Sequence, residues 1–240
     1  HRIAINSSIT KIGFPEVTLG ILPTAGGLIR TTRLIGLEAA LPFLLDGKQV
    51  TPGQAKEMGI IDDMADNIKE LFSKAKKYIL ANPEKFQPWD TKDYKIPGGN
   101  ANDPKIAQML SIAPAMLRKK TNGNYPAPEA IVSAAVEGSL VDFDTASKIE
   151  SRYFVELATG KVAKNMINAF WFQLNKIKSG VSRPKDIPKY ETKRLGVLGS
   201  GLMGHGIAYV SALSGIEVIM VDSSMKNAKK GLEKIQSLLN

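Results

Sequence analysis

The chain opens with short apolar runs and then settles into helical spacing. Residues 2–5 and 9–12 predict two short strands on either side of the Asn6-Ser7-Ser8 turn. From Thr24 the apolar positions Leu28, Ile29, Leu34 and Ile35 predict a helix, with Thr24 placed to cap it and Gly36 to end it. A second helix is expected over residues 37–45. Thr51-Pro52, a cap followed by proline in the first turn, opens a third that runs to about Met58. Over residues 67–81 Ile68, Leu71, Phe72, Ala75, Ile79 and Leu80 fall on one face with lysines opposite, and Asn82-Pro83 stops the pattern.

Residues 82–104 hold Pro83, Pro88, Pro97, Pro104 and the pair Gly98-Gly99, which predicts a long irregular connection. Helical spacing returns over 105–119, where Pro114 predicts a kink or break, and again over 127–138, 143–158 and 161–178. The last of these carries Val162, Met166, Ile167, Phe170, Trp171 and Leu174, an aromatic cluster that reads as core packing rather than a cofactor contact. Ser182-Arg183-Pro184-Lys185-Asp186-Ile187-Pro188-Lys189 is polar with two prolines, the best boundary in the chain. Beyond it the pattern becomes strand, helix, strand.

Composition narrows the chemistry. The 240 residues contain no cysteine, which excludes disulfides, thiolate-bound metals and thiol nucleophiles. His1 and His205 are the two histidines, too few for a histidine-rich metal site; no metal is expected. Lys and Arg number 32 against 23 acids, a net charge of +9 that attracts anions. The basic residues are scattered, however, among Lys74, Lys76 and Lys77, then Lys92 and Lys95, then Arg118, Lys119 and Lys120. No basic block interleaves with aromatics, so a solvated surface or a phosphate-bearing ligand is favoured over nucleic acid. No run approaches the ~18–20 apolar residues of a membrane span. The first residues lack a signal-peptide layout and read as a strand entered part-way, as in a segment of a longer chain.

The apolar strand Leu195-Gly196-Val197-Leu198 runs into Gly199-Ser200-Gly201-Leu202-Met203-Gly204, a full G-x-G-x-x-G. A helix follows, with Ile207, Ala208, Val210 and Leu213 apolar and Gly215 at its end. A second strand over 216–221 then ends at Asp222. Each part has a physical use. Gly199 permits the tight turn, Gly201 lets a pyrophosphate approach the backbone, and Gly204 lets helix and strand pack closely. The helix start offers free N–H groups to the diphosphate. Asp222 can accept from ribose hydroxyls and would repel a 2′-phosphate, which favours NAD over NADP. A glycine-rich turn without a cofactor is the plainer alternative. His205 reads as a local structural residue rather than a base. After Asp222 only one helical stretch, 224–239, remains, so the residues make one βαβ unit and a helix.

Both ends of the chain resemble one family. Ile12-Gly13-Phe14-Pro15-Glu16-Val17-Thr18-Leu19-Gly20-Ile21-Leu22-Pro23, followed by Gly26-Gly27 and Arg30, resembles the second half of a crotonase (enoyl-CoA hydratase/isomerase) domain. Asp46-Gly47-Lys48 and Gln54-Ala55-Lys56-Glu57-Met58-Gly59-Ile60-Ile61-Asp62 continue that likeness. Ser151-Arg152-Tyr153-Phe154 and Ala163-Lys164-Asn165-Met166-Ile167 are similar to the linker helix of fused β-oxidation enzymes. Leu198-Gly199-Ser200-Gly201-Leu202-Met203-Gly204 is similar to the start of a 3-hydroxyacyl-CoA dehydrogenase. Crotonase, linker helix and Rossmann unit in that order resemble the multifunctional enzymes of fatty-acid β-oxidation.

The resemblance implies an α/β fold in parts. These are the C-terminal half of a crotonase-like ββα domain over 1–66, a helical region with the linker helix over 67–181, and a linker over 182–192. The first βαβ unit of a Rossmann NAD-binding domain follows over 193–240. The implied activity is hydration of 2-enoyl-CoA and then NAD-dependent oxidation of the 3-hydroxyacyl-CoA. In the family two glutamates hold the attacking water and backbone N–H groups polarise the thioester oxygen; Glu16 matches the second glutamate. The first glutamate and most of the oxyanion hole precede the matched region, and the dehydrogenase His–Glu pair follows it. The 240 residues are therefore expected to be an internal segment without either full activity. Gly199, Gly201, Met203, Gly204 and Asp222 are the implied NAD contacts. Acyl-CoA is the implied substrate, a thiolase subunit the implied partner, and the compartment a bacterial cytoplasm or a eukaryotic organelle matrix. A reading of another class is a non-catalytic CoA- or NAD-binding module whose helical middle docks a partner subunit.

Overall fold

Two short strand pairs frame the start of the chain. β1 (Ile3–Ile5) runs parallel to β4 (Asp63–Ala65), with Ile3 opposite Asp63 and Ile5 opposite Ala65. β2 (Ile12–Gly13) runs antiparallel to β3 (Gln49–Val50). The second expected strand is thus confined to its end, and Ile9 is 86% exposed because nothing pairs with the Ser7–Thr10 turn. The computed structural model describes residues 1–188 and 190–239, which gather into two units, His1–Val181 and Ser182–Asn240.

The first unit is built on α1 (Gly27–Leu45), which starts three residues later than expected. Thr24 makes no side-chain cap; its carbonyl accepts from Gly27 N–H, and the helix start is held by Glu150 instead. Gly36 interrupts α1 at φ +80°, ψ 163°, so two helical halves meet there as its position predicts. Leu22, Leu28, Ile29, Leu37 and Leu44 are fully buried against Ile106 of α4 (Pro104–Thr121) and Ile131 of α5 (Pro126–Ser139). Ala127, Ala130, Ala134 and Ala135 let α5 lie close to α1, and α6 (Phe143–Thr159) closes the cluster with Ala146 and Leu157. A second apolar cluster joins Phe43, Val50, Ala55, Ile60 and Ile61 around α2 (Pro52–Glu57), whose start carries the Thr51–Gln54 capping box.

Two expectations fail here for identifiable reasons, and a third holds without the burial that an apolar face usually brings. Pro114 does not break α4: it lies exposed on the helix surface, where the carbonyl it strands can be hydrated. The apolar face of α3 (Ile68–Ala81) is real, yet no residue of that helix is buried, and Ile68, Phe72, Ile79 and Leu80 face solvent. The aromatic cluster is likewise not core. α7 (Lys161–Met166) and α8 (Leu174–Lys178) are joined by a wider π-helical stretch, Ile167–Gln173, on which Phe170, Trp171 and Phe172 are all more than half exposed. Periodicity reports that a face is apolar, not what covers it.

In the second unit β5 (Arg194–Leu198) and β6 (Glu217–Val221) pair in parallel through α9 (Leu202–Leu213), with Leu198 opposite Val221. This is the expected βαβ unit. α10 (Met225–Leu239) follows and packs on α9 and β6. Lys189, part of the expected boundary, lies outside the described residues.

Candidate functional site

The two candidate sites belong to different units. In the first, Pro15 starts a short 3₁₀ turn, Pro15–Leu19, that carries Glu16, and Gly20 ends it. Ile21 N–H donates to the Glu16 carbonyl at 3.2 Å, which fixes the backbone beneath the side chain. The turn rests on the helix that follows α6: a Cβ on Gly20 would lie 2.8 Å from Met166 Sδ and 3.1 Å from Ala163 Cα. Phe14, just before the turn, meets Phe43 edge to face at 6.0 Å. Glu16 itself is half-buried, and its Oε2 is enclosed without a hydrogen-bond partner. A buried carboxylate oxygen left unpaired is costly, so this oxygen is available to a ligand or water rather than used for structure.

Glu150 lies deeper in the same unit and was not foreseen. It is 1% exposed and accepts from Gly26 N–H at 2.7 Å and Ile29 N–H at 3.1 Å, so it caps α1 from α6. Burial pushes its carboxyl above the ordinary range, opposed by those N–H donors. Ala25 and Gly26, both with positive φ, form the turn that aims these N–H groups. Arg30 Nη1 donates to the Ala25 carbonyl at 2.7 Å and braces it. Sequence offers no signal for Glu150, because the contact spans more than 120 positions.

In the second unit the glycine turn has the expected backbone. Gly199 sits at φ +95°, and Gly199 N–H donates to the Val221 carbonyl at 2.7 Å. A Cβ on Gly204 would lie 1.7 Å from the Gly199 carbonyl oxygen, so only glycine fits there. At Gly201 the same position is open space, and α9 begins on Gly201 with no side-chain cap. Free N–H groups at an open, uncapped helix start suit a diphosphate. The donor set therefore fits a dinucleotide.

Asp222 lies at the end of β6 and is brought to the turn, but its oxygens already have partners. Oδ2 accepts from Ser200 N–H at 2.7 Å and lies beside Ser200 Oγ; Oδ1 accepts from Ser223 N–H at 2.7 Å and from Ser223 Oγ at 3.0 Å. The Ser200 hydroxyl and these N–H donors hold Asp222 far below the usual carboxylate range. Ser200, an unremarked x of the motif, is thus the residue that ties the turn to the acid; its burial at a glycine-flanked position is the signal that sequence lacked. Met203 is 73% exposed on the first turn of α9. His205 Nδ1 lies 2.6 Å from the Gly201 carbonyl, a local contact as its place in the turn suggests.

Comparison with known proteins agrees with this division. Residues 2–83 match the enoyl-CoA hydratase/isomerase family, and residues 194–240 match the NAD-binding domain of 3-hydroxyacyl-CoA dehydrogenase. Among solved structures, the enoyl-CoA hydratase of Bacillus halodurans is 22% identical, with 70% of this chain and 51% of that one covered and a TM-score of 0.40. The carnitinyl-CoA hydratase of Mycobacterium avium is 20% identical over 71% of this chain and 51% of that one, TM-score 0.36. The chain spans about half the length of these structures. The two family matches fall in different units and in the order hydratase/isomerase, then dehydrogenase NAD-binding domain, with a helical region between them.

Proposed function

We propose that this segment belongs to a bifunctional β-oxidation enzyme that adds water to a 2-enoyl-CoA and then oxidises the 3-hydroxyacyl-CoA with NAD. The observation that carries the hydratase half is the enclosed, unpartnered Oε2 of Glu16 on a turn matched by the hydratase family. A carboxylate there can hold a water by one hydrogen bond and exchange a proton with it, so that oxygen adds at C3 and a proton at C2. The turn's support by Phe14 and by Met166 and Ala163 keeps that oxygen placed.

On the dehydrogenase side, Gly199, Gly201 and Gly204 would shape the turn that receives the diphosphate, Met203 would cover it, and Asp222 would turn toward the ribose. NAD, when bound, supplies the hydride acceptor. Ser200 holds Asp222 ionised at the turn, which keeps a negative charge where a 2′-phosphate would otherwise sit. Hydration in this family uses two glutamates, and Glu16 matches one of them. Acyl-CoA is the proposed substrate and a thiolase subunit the proposed partner, both on the family resemblance.

The test is made in the enzyme that contains these residues. Glu16→Gln is expected to lower crotonyl-CoA hydration by about 10²–10⁴-fold and to leave NAD-dependent oxidation of 3-hydroxybutyryl-CoA unchanged. Hydration that survives within threefold (about 0.65 kcal/mol) would remove Glu16 from the mechanism.

A further inference from the structure

We infer that Ser223 competes with the coenzyme for Asp222: its hydroxyl fills the place on the carboxylate that a ribose hydroxyl must take, and so sets how tightly the dinucleotide binds. This role rests on the NAD reading of the glycine turn and adds a residue outside the G-x-G-x-x-G motif. An ionised carboxylate offers about four lone-pair sites. Asp222 already has four close donors for them. Ser200 N–H and O–H donate to Oδ2 at 2.7 and 2.5 Å, and Ser223 N–H and O–H donate to Oδ1 at 2.7 and 3.0 Å. Asn227 Nδ2 stands 3.4 Å from Oδ1 as a fifth. A ribose hydroxyl therefore reaches Asp222 by displacing a donor, not by adding to an open oxygen.

The surroundings decide which donor gives way. The two N–H groups are part of the backbone, so one of the serine hydroxyls must move. Ser200 is 6% exposed, and its hydroxyl has a second acceptor in the Asn227 carbonyl at 2.8 Å. α10 closes over it: a Cβ on Gly231 would lie 2.5 Å from Ser200 Cβ and 3.1 Å from the Ser200 carbonyl oxygen. A hydroxyl boxed in this way stays. Ser223 is exposed, and the other neighbour of its hydroxyl is Asn227 Nδ2 at 3.3 Å. One rotation about its Cα–Cβ bond moves that hydroxyl to another staggered position, where water replaces the carboxylate. Ser200 thus anchors Oδ2, and Oδ1 is the oxygen offered to the ribose once Ser223 swings away.

The two serines act on the coenzyme with opposite signs. Losing the Ser200 hydroxyl releases Oδ2 and lets the carboxylate rotate, which weakens a contact that depends on its placement. Losing the Ser223 hydroxyl removes a bond that each incoming ribose has to break. The gain requires a ribose hydroxyl at the 2′ position. A 2′-phosphate is repelled by Asp222 whether or not Ser223 occupies it.

Binding is measured in the enzyme that contains these residues, by the fluorescence of NADH on titration, which needs no turnover. Ser223→Ala is expected to lower the NADH Kd by about three- to tenfold, the worth of one hydrogen bond no longer displaced, and to leave the NADPH Kd within about twofold. Ser200→Ala is expected to raise the NADH Kd by about threefold or more. General loosening of the unit weakens binding in both variants, so a gain in one and a loss in the other distinguishes competition from a structural role. An NADH Kd that Ser223→Ala leaves unchanged or raises, an equal gain for NADPH, or a Ser200→Ala that fails to weaken NADH would overturn the role given to Ser223 while leaving the NAD reading in place. Absence of NADH binding by the unsubstituted enzyme would overturn the NAD reading itself, and this role with it.

Discussion

Glu150 acts at the start of α1 from 121 and 124 positions away, and two backbone N–H groups depend on it. Replacing it by Gln leaves one acceptor and turns an NH₂ group toward the other donor. Glu150→Gln is therefore expected to destabilise the first unit by about 1–3 kcal/mol, read as a fall in urea midpoint at constant slope. A change below about half a kcal/mol would show that the α1 start is satisfied in another way. Residues of this kind separate the two candidate sites. The glycines and Asp222 follow from a local motif whose spacing carries the turn, whereas Met203 rests on the family resemblance. Glu16 was named by resemblance, and nothing in its spacing tells that one oxygen is enclosed and unpaired. That property depends on how distant elements meet around the turn, which packs against Ala163 and Met166 of the helix after α6, and no local pattern encodes it.

Among the elements, α1 shows how one glycine sets the path of two helical halves. Gly36 sits at φ +80°, ψ 163°, and a Cβ there would lie 2.1 Å from the Pro97 carbonyl oxygen. Gly36→Ala is expected to cost roughly 2–4 kcal/mol, from left-handed strain and a forced shift of the 88–103 connection. Chemical denaturation measures it; a loss under about 1 kcal/mol would mean that the connection does not rest on α1. Most helices were legible because caps and breakers are local: Pro52 after Thr51, Asn82-Pro83 after α3, Gly160 before α7. The strands were less legible. β2 and β3 are two residues each and exist because Gly13 allows close approach to Lys48 and Gln49, a pairing across 36 positions.

For the whole molecule, acid stability follows from carboxylates of opposite tendency. Asp62 is held below its ordinary value first by the Arg2 side chain, whose Nη2 lies 2.8 Å away, and Asp142 by Thr145. Carboxyls lowered in the folded state add stability above their unfolded values, and that stability is lost as pH falls through the folded ones. Glu150 is raised instead, so its protonation on acidification relieves an unfavourable buried charge. Urea midpoints of the first unit are thus expected to decline below about pH 4, and Asp62→Asn to make that decline shallower. An unchanged slope in Asp62→Asn would remove the Arg2–Asp62 contact from the account. The net charge of +9, evenly scattered in sequence, gave no site by itself. By itself the sequence determined the helix register, the division near residue 182 as an expectation, and the dinucleotide turn, because these rest on neighbours a few residues apart. Tertiary structure alone decided that Glu150 caps α1, that Arg33 lies buried with one guanidinium nitrogen unpartnered, and that the faces of α3 and the π-helical stretch stay exposed. Each depends on which distant surface meets which, and burial is a property of that meeting rather than of any residue's neighbours in the chain.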